Sequence, residues 1–180
     1  MRALIDGLLE YSRVTTNNHP FAIVDLGQVA SDVLSDLEAY IEGGGGRVEV
    51  STLPILGADP VQMRQLLQNL LHNGLKFHKP GRPPTVRIEA ECVPGSDGED
   101  SVGGSWRLIV SDDGIGFDER YRDRMFAIFQ RLNGLGQYDG NGRGLVLCAR
   151  IVERYEGRIK AVSTQREGAM FVVMLPFNQG

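Results

Sequence analysis

Within "QLLQNLLHNGLKF", residues 65–77, the polar side chains Gln65, Asn69, Asn73 and Lys76 recur at spacings of three and four. On a helix that spacing places them on one face, and Leu67, Leu70, Leu71 and Leu75 fill the other. A merely solvated face favours Glu, Lys or Arg, which also form helix well, whereas asparagine costs more there. A carboxamide offers a neutral oxygen ligand as well as a donor. Magnesium takes oxygen ligands, keeps several waters and is commonly held together with substrate phosphates. Asn73 suits metal ligation, Asn69 one turn earlier suits a phosphate or a metal-bound water, and Lys76 is a point charge for phosphate oxygens. Gly74 interrupts the helix at a cost of about 1 kcal/mol relative to alanine, so another element or a ligand is expected to come close at that point.

Two glycine clusters extend this chemistry. Asp112, Gly114 and Gly116 form an Asp-x-Gly-x-Gly turn after the apolar run Leu108, Ile109, Val110. Asp112 is thus a fixed acceptor at a strand end, able to take the exocyclic amine of adenine, although a plain Asp-Gly turn explains the stretch taken alone. Gly140, Gly142 and Gly144 alternate in "DGNGRGLVLC", just ahead of a helical pattern. Free backbone N–H groups at a helix start form an anion site. The spacing is neither the dinucleotide fingerprint nor a Walker loop, and a plain surface loop is the alternative reading of this cluster by itself.

The elements that must position these groups follow from periodicity and capping. Asp25 with Gln28 fits a capping box, and Val29, Val33, Leu37 and Ile41 continue one helix until "GGGG" at 43–46 ends it. "RVEVST" alternates as a strand, and Asp59-Pro60 supplies an N-cap and an N1 proline for the asparagine helix, which stops before "HKPGRPP". "TVRIEAECV" and "WRLIVSDD" read as strands joined through "PGSDGEDSVGG", "DERYRDRMFAIF" and "LVLCARIVERY" as helices, and "GRIKAVS" with "AMFVVMLP" as a closing hairpin. The order implies an α+β fold, a two-layer α/β sandwich with helices on one face of a mixed sheet. Residues 1–15 carry a helical stripe of Leu4, Ile5, Leu8 and Leu9, residues 16–24 read as a linker, and residues 25–180 as the main domain.

At 180 residues and a formal net charge of −4, the chain can bury a core unaided and has no overall basic balance for nucleic acid. Cys92 and Cys148 sit in apolar runs and are expected as buried thiols rather than a disulfide or metal pair. No apolar run reaches the roughly 18 residues of a spanning helix and the start is not a signal peptide, so a cytoplasmic setting without membrane contact is the expectation. His72 and His78 are six apart, off a shared face, and read as surface or loop histidines.

Taken together, "NLLHNGLKF", "DDGIG", "MFAIFQRL" and "GNGRGL" resemble the boxes of the catalytic ATP-binding domain of sensor histidine kinases, within the gyrase–Hsp90–kinase–MutL superfamily. "FQRL" and "IVERYEGRI" are similar to kinases of the phytochrome type. The resemblance implies the Bergerat-type fold, with ATP and Mg²⁺ as cofactors. It implies catalytic roles for Asn69, Asn73 and Lys76, with Asn73 holding magnesium and Asn69 assisting through water. Asp112, Gly114 and Gly116 would receive the base. Phe126 and Phe129 would pack the hinge, and Arg131 would lie near the phosphates. Gly140, Gly142, Arg143, Gly144 and Leu145 would belong to the closing lid. Gly74 stands where alanine is common, Arg143 where a small aliphatic residue is usual, and Asn141 where threonine is common.

Residues 1–14 look like the end of a dimerisation helix, a candidate homodimer contact. None of His19, His72 and His78 heads the family's acceptor motif, so the resemblance implies a histidine supplied by a separate or missing dimerisation domain and a response-regulator receiver as the next partner. Two other functions are weighed against this one. A hydrolysing switch of the gyrase or Hsp90 kind would place a glutamate where this chain has Asn69, a poor general base. A catalytically degenerate nucleotide-binding module would bind tightly and transfer nothing.

Overall fold

The computed structural model describes residues 19–95, 104–117, 143–164 and 167–177. The chain enters as strand β1 (Ala22–Asp25), continues through helices α1 (Leu26–Asp36) and α2 (Glu38–Gly43), and forms strands β2 (Arg47–Val50) and β3 (Ile55–Ala58). Helix α3 (Pro60–Lys76) follows, then β4 (Thr85–Val93), β5 (Ser105–Asp112), α4 (Arg143–Arg154), β6 (Arg158–Thr164) and β7 (Gly168–Pro176). Among the described residues, five strands make one mixed sheet in the order β2-β4-β5-β7-β6, in which only the β2–β4 pair is parallel. β1 and β3 form a separate antiparallel ladder.

Period-two alternation decides which face of the sheet is covered. Val86 and Ile88 on β4, Leu108 and Val110 on β5, and Phe171, Val173 and Leu175 on β7 point inward and are buried. They meet Leu66, Leu67, Leu70, Leu71 and Leu75 of α3 and Leu145, Cys148, Ile151 and Val152 of α4 in a single core. Each such side chain contributes about 1.5–3 kcal/mol by leaving water, so the leucine side of α3 fixes which way its asparagines face. Both ends of α3 are set locally. The Asp59 carboxylate accepts from Val61 and Gln62 N–H, Pro60 occupies the first turn, and Phe77 N–H closes the last turn on the Asn73 carbonyl.

The two-layer α+β architecture, the asparagine helix and both hairpins stand as expected from the sequence, with four corrections. The helix expected to run through Ile41 breaks at Leu37, which has φ −94° and ψ 2°, so that α1 and α2 are separate. Asp25 caps Gly27 and Gln28 N–H, but the Gln28 amide turns to Asp32 instead of closing the reciprocal half of a capping box. Residues 22–24, expected in a linker, belong to β1, and Val24 is in the core. Cys92, expected to be buried, is exposed on β4, while Cys148 is buried with its thiol directed at the Leu66 carbonyl. Burial pushes the Cys148 pKa far up, so it stays protonated and unreactive. The β1–β3 ladder was not foreseen, because its four-residue strands are too short for alternation to register.

Gly74 sits where α3 crosses the sheet. A Cβ there would lie 2.9 Å from Val86 Cγ2 and 3.5 Å from Asp112 Cβ. Gly74→Ala gains about 1 kcal/mol of helix propensity but overpacks a buried valine at a cost of about 1–3 kcal/mol. We expect net destabilisation in urea unfolding, and a Gly74→Ala/Val86→Ala double variant more stable than the two single losses summed, by about 1 kcal/mol. Simple additivity would show that the two side chains do not compete for the same space.

Candidate nucleotide-binding site

Packing of α3 on β4 and β5 brings the first two chemical clusters together. Gly74 lies against Asp112, so Asn73, its chain neighbour, stands at the C-terminal end of β5 beside the Asp-x-Gly-x-Gly turn. Asn69, one turn back, meets the third cluster: a Cβ on Gly144 would lie 3.1 Å from Asn69 Oδ1. Asp112, Gly74, Asn69 and Gly144 therefore form one continuous ridge, contributed by β5, α3 and the first turn of α4. Asn69, Asn73, Lys76 and Asp112 are all partly exposed along it.

The Asp112 turn is rigidly held. Asp112 Oδ1 accepts from Gly114 N–H at 2.9 Å and Ala169 N–H at 3.3 Å. Both bonds go to Oδ1, and none among the described residues goes to Oδ2. Burial dominates the electrostatics and pushes the Asp112 pKa up to about 6; the two N–H donors oppose that rise, and the neighbouring Asp113 charge adds to it. Asp113 faces away, accepting from Thr85 N–H at 3.0 Å and pairing with Arg82 at 3.2 Å. Gly114 is seated against the end of α3, where a Cβ would fall 2.1 Å from the Phe77 carbonyl oxygen, and that same oxygen accepts from Ile115 N–H at 3.0 Å. Gly116 has φ +65°, the left-handed conformation that L side chains disfavour.

Lys76 ends the asparagine face, with its ammonium 5.6 Å from the Phe77 ring centroid. Arg143 and Gly144 open α4, while the Leu145 side chain belongs to the core, so what Leu145 offers a ligand is its backbone N–H in that first turn. Phe126, Phe129, Arg131, Gly140 and Gly142 lie outside the described residues. His72, on the flank of the asparagine face, packs against the Tyr40 ring at 5.1 Å. Burial and then the nearby Lys76 charge lower its pKa, keeping it neutral near pH 7. His78 is exposed, with Nδ1 3.0 Å from the Lys79 carbonyl.

The donor set fits magnesium delivered with phosphates. Among the described residues no group of three or more His, Cys, Asp or Glu gathers to form a metal cage. The site instead offers neutral carboxamide oxygens, which suit a hard cation whose charge is already balanced by phosphate. Also among the described residues, no helix is long and apolar enough to cross a membrane.

Sequence reasoning overlooked a second polar cluster at the far end of the same helices. Asp59, fully buried, takes Arg154 Nη1 on Oδ2 at 2.8 Å, and its own N–H donates to the Tyr155 hydroxyl at 2.8 Å. Burial, with the Asp59 charge alongside, raises the Tyr155 pKa to about 12, so the hydroxyl remains neutral. Asp59 was legible as a cap; its pairing with a residue 95 positions away was not.

Comparison with known proteins gives this geometry its context. Residues 58–179 match the family model described as "Histidine kinase-, DNA gyrase B-, and HSP90-like ATPase". Phytochrome-like protein Cph1 of Synechocystis sp. (strain ATCC 27184 / PCC 6803 / Kazusa) is 36% identical over 98% of this chain and 22% of its own length. Cyanobacterial phytochrome A of Nostoc sp. (strain PCC 7120 / SAG 25.82 / UTEX 2576) matches at the same identity and coverage. The chain thus spans about a fifth of the length of these relatives. The fold is that of the catalytic domain of histidine kinase ThkA, with a TM-score of 0.70 at 20% identity over 89% of this chain and 98% of that one. Full-length ShkA, solved in complex with AMPPNP, superposes with a TM-score of 0.75 at 25% identity over 98% of this chain and 36% of that one. The chain belongs to the histidine kinase-, DNA gyrase B- and HSP90-like ATPase family, as an ATP- and Mg²⁺-binding catalytic domain of its histidine-kinase branch.

Proposed function

We propose that the ridge from Asp112 through Gly74 and Asn69 to Gly144 is the nucleotide cleft, and that the chain presents the γ-phosphoryl group of ATP to a histidine on a dimerisation domain. The observation that carries this reading is the contact of Gly74 with Asp112 on one side and of Asn69 with Gly144 on the other. It gathers a purine acceptor, two carboxamides and a helix N-terminus onto one surface. Asp112 Oδ2 accepts the adenine amine, Asn73 offers its amide oxygen to the metal, Asn69 orders metal-bound water or phosphate, and Lys76 balances phosphate charge. The first-turn N–H groups of α4 face the anionic end. Bound magnesium supplies charge neutralisation on the phosphate oxygens.

Phosphoryl transfer needs positioning and electrostatics more than covalent help. An imidazole nitrogen of the partner attacks the γ-phosphorus, a P–N bond forms, and the bond to the β,γ-bridging oxygen breaks with ADP taking the electron pair. A receiver domain of a response regulator is the next acceptor, and residues 1–14 are the contact through which two copies pair. The much greater length of the multidomain relatives supports these partners.

Titration with a non-hydrolysable ATP analogue, with and without Mg²⁺, tests the cleft. Asp112→Asn is expected to weaken binding about ten- to a hundredfold, the cost of one charge-assisted hydrogen bond. Asn73→Ala is expected to remove the magnesium-dependent part. Unchanged affinity in both variants sinks the assignment. Adding a histidine-bearing dimerisation hairpin with γ-labelled ATP then separates a kinase, which labels the hairpin, from a degenerate module, which binds and labels nothing.

The Asp112 environment sets a pH dependence. The ligand needs the ionised carboxylate, so affinity should fall about tenfold per pH unit below roughly 6. Stability moves the other way. The folded pKa of about 6 lies above the ordinary value of 3.8, so the folded state holds an extra proton between those values. The resulting destabilisation is absent at low pH, grows as pH rises from 3.8 and is complete above about 6. Asp112→Asn should therefore melt above the wild type at pH 8, by a margin that closes towards pH 4. An equal margin at both pH values would show that the Asp112 charge costs the fold nothing.

A further inference from the structure

The chain preceding β1 is held by the buried cluster at the outer ends of α3 and α4. His19 N–H donates to Asp59 Oδ2 at 3.0 Å, and the His19 carbonyl accepts from Arg154 Nη2 at 2.7 Å. Phe21 stacks on the Tyr155 ring at 4.8 Å with an interplanar angle of 11°, and the Arg154 guanidinium lies 4.6 Å from the Phe21 centroid. Arg154 Nη1 bridges Asp59 Oδ2 and Gln62 Oε1, each at 2.8 Å. Capping α3 does not require the incoming chain: Asp59 Oδ1 already serves the cap, and Arg154 with Tyr155 already ties α3 to α4. The contacts to His19 and Phe21 are a further set, few in number and at the surface, with Phe21 39% exposed.

This cluster is one end of an antiparallel zip whose other end is the nucleotide cleft. Along it, Asp59 and Gln62 meet Arg154, the Leu66 carbonyl meets Cys148 Sγ, and Asn69 meets Gly144. We propose that Asp59, Arg154 and Tyr155 form a latch for residues 19–21 whose occupancy by the incoming chain tunes nucleotide affinity through the α3–α4 pairing. The two states are latched and released. The latched state adds bonds to both helices at once and so favours the register that sets Asn69 against Gly144. The released state leaves Arg154 with fewer acceptors and loosens that register. A movement imposed on the chain ahead of residue 19 thereby reaches the cleft with no contact to the ligand, and linkage requires the nucleotide to tighten the latch by the same factor. The proposal rests on the reading of the cleft as a nucleotide site and names a regulatory input to it.

The test uses the whole 180-residue chain. Amide hydrogen exchange at His19 reads the latch, and ATP-analogue titration reads the cleft. Phe21→Ala removes a half-exposed ring outside the core, while Arg154→Lys keeps a cation for Asp59 and loses the fork that reaches the His19 carbonyl. Both variants are expected to speed His19 exchange about tenfold and to weaken nucleotide binding about five- to tenfold, and saturating nucleotide should slow His19 exchange in the wild type by that same binding factor. Exchange at His19 as fast as in an unstructured peptide, or unaltered in both variants, overturns the latch. Faster exchange with unchanged affinity overturns the coupling while the nucleotide reading stands. A wild-type chain that binds no nucleotide overturns that reading and the coupling with it, while protection at His19 still reports the latch.

Discussion

The close approach of α3 to the sheet at Gly74 governs the rest of the molecule. At Gly74 the helix comes so near β4 and β5 that a single methyl group would press on Val86. Helix-to-sheet distances are otherwise set by the side chains between them, and leucines at Leu67, Leu71 and Leu75 would hold the axes well apart. One missing side chain lowers the C-terminal end of α3 onto the strand. It does so at the turn where Asn73 must reach the end of β5. The about 1 kcal/mol that glycine costs a helix interior is thus exchanged for the close approach of Gly74, and with it the turn that carries Asn73, to Asp112. The same helix takes its direction from its other end, where buried Asp59 caps it and locks it to α4 through Arg154 and Tyr155. A helix fixed at both ends has little freedom to re-aim the polar face between them, which is what a metal–phosphate site needs from its scaffold.

That arrangement separates two uses of a carboxylate. Asp59 is fully buried and carries its charge against a guanidinium and two cap N–H groups. Asp112 is partly exposed and has only N–H donors on one oxygen, with a second acid beside it. The first is satisfied within the protein, by its own cap, by Arg154 and by the incoming chain at His19. The second is raised in pKa by burial and by the neighbouring Asp113, and both of its N–H donors go to one oxygen. A group whose environment disfavours its working protonation state is a mark of function rather than of stability. The Asp112 turn meets that description.

What the sequence disclosed follows the range of each interaction. The asparagine face, the leucine face, the Asp59-Pro60 start of α3 and the two hairpins rest on neighbours within a few residues, and periodicity and capping reveal such features. Gly74 was legible as an anomaly, since a glycine in a leucine-rich helix asks for a reason. The identity of the neighbour it admits was set by a strand crossing and needed the structure. The break at Leu37 went unseen because its apolar side chain keeps the period across the kink. Cys92 was misread for a related reason: in a strand covered on one face, an apolar run does not say which alternate residues point outward. The β1–β3 ladder and the clasp on residues 19–21 depend on partners 30 to 135 positions away, where a single sequence carries no signal.

The α3–α4 pair connects the buried cap to the asparagine face. Its contacts run from a charged, buried end at Asp59–Arg154, through the apolar middle at Leu66–Cys148, to a polar, open end at Asn69–Gly144. Among the described residues the hydrogen bonds across the pair are most numerous at the first contact and thin out towards the third, where Asn69 and Gly144 meet by close approach beside the buried Leu145. A ligand arriving at the open end adds bonds where the pair itself has fewest, and the free energy gained there depends on how firmly the closed end is held. Whatever strengthens or weakens the closed end changes that gain without touching the ligand. The proposed nucleotide cleft, at the open end of a helix pair whose other end holds the incoming chain, is for that reason placed to respond to that chain.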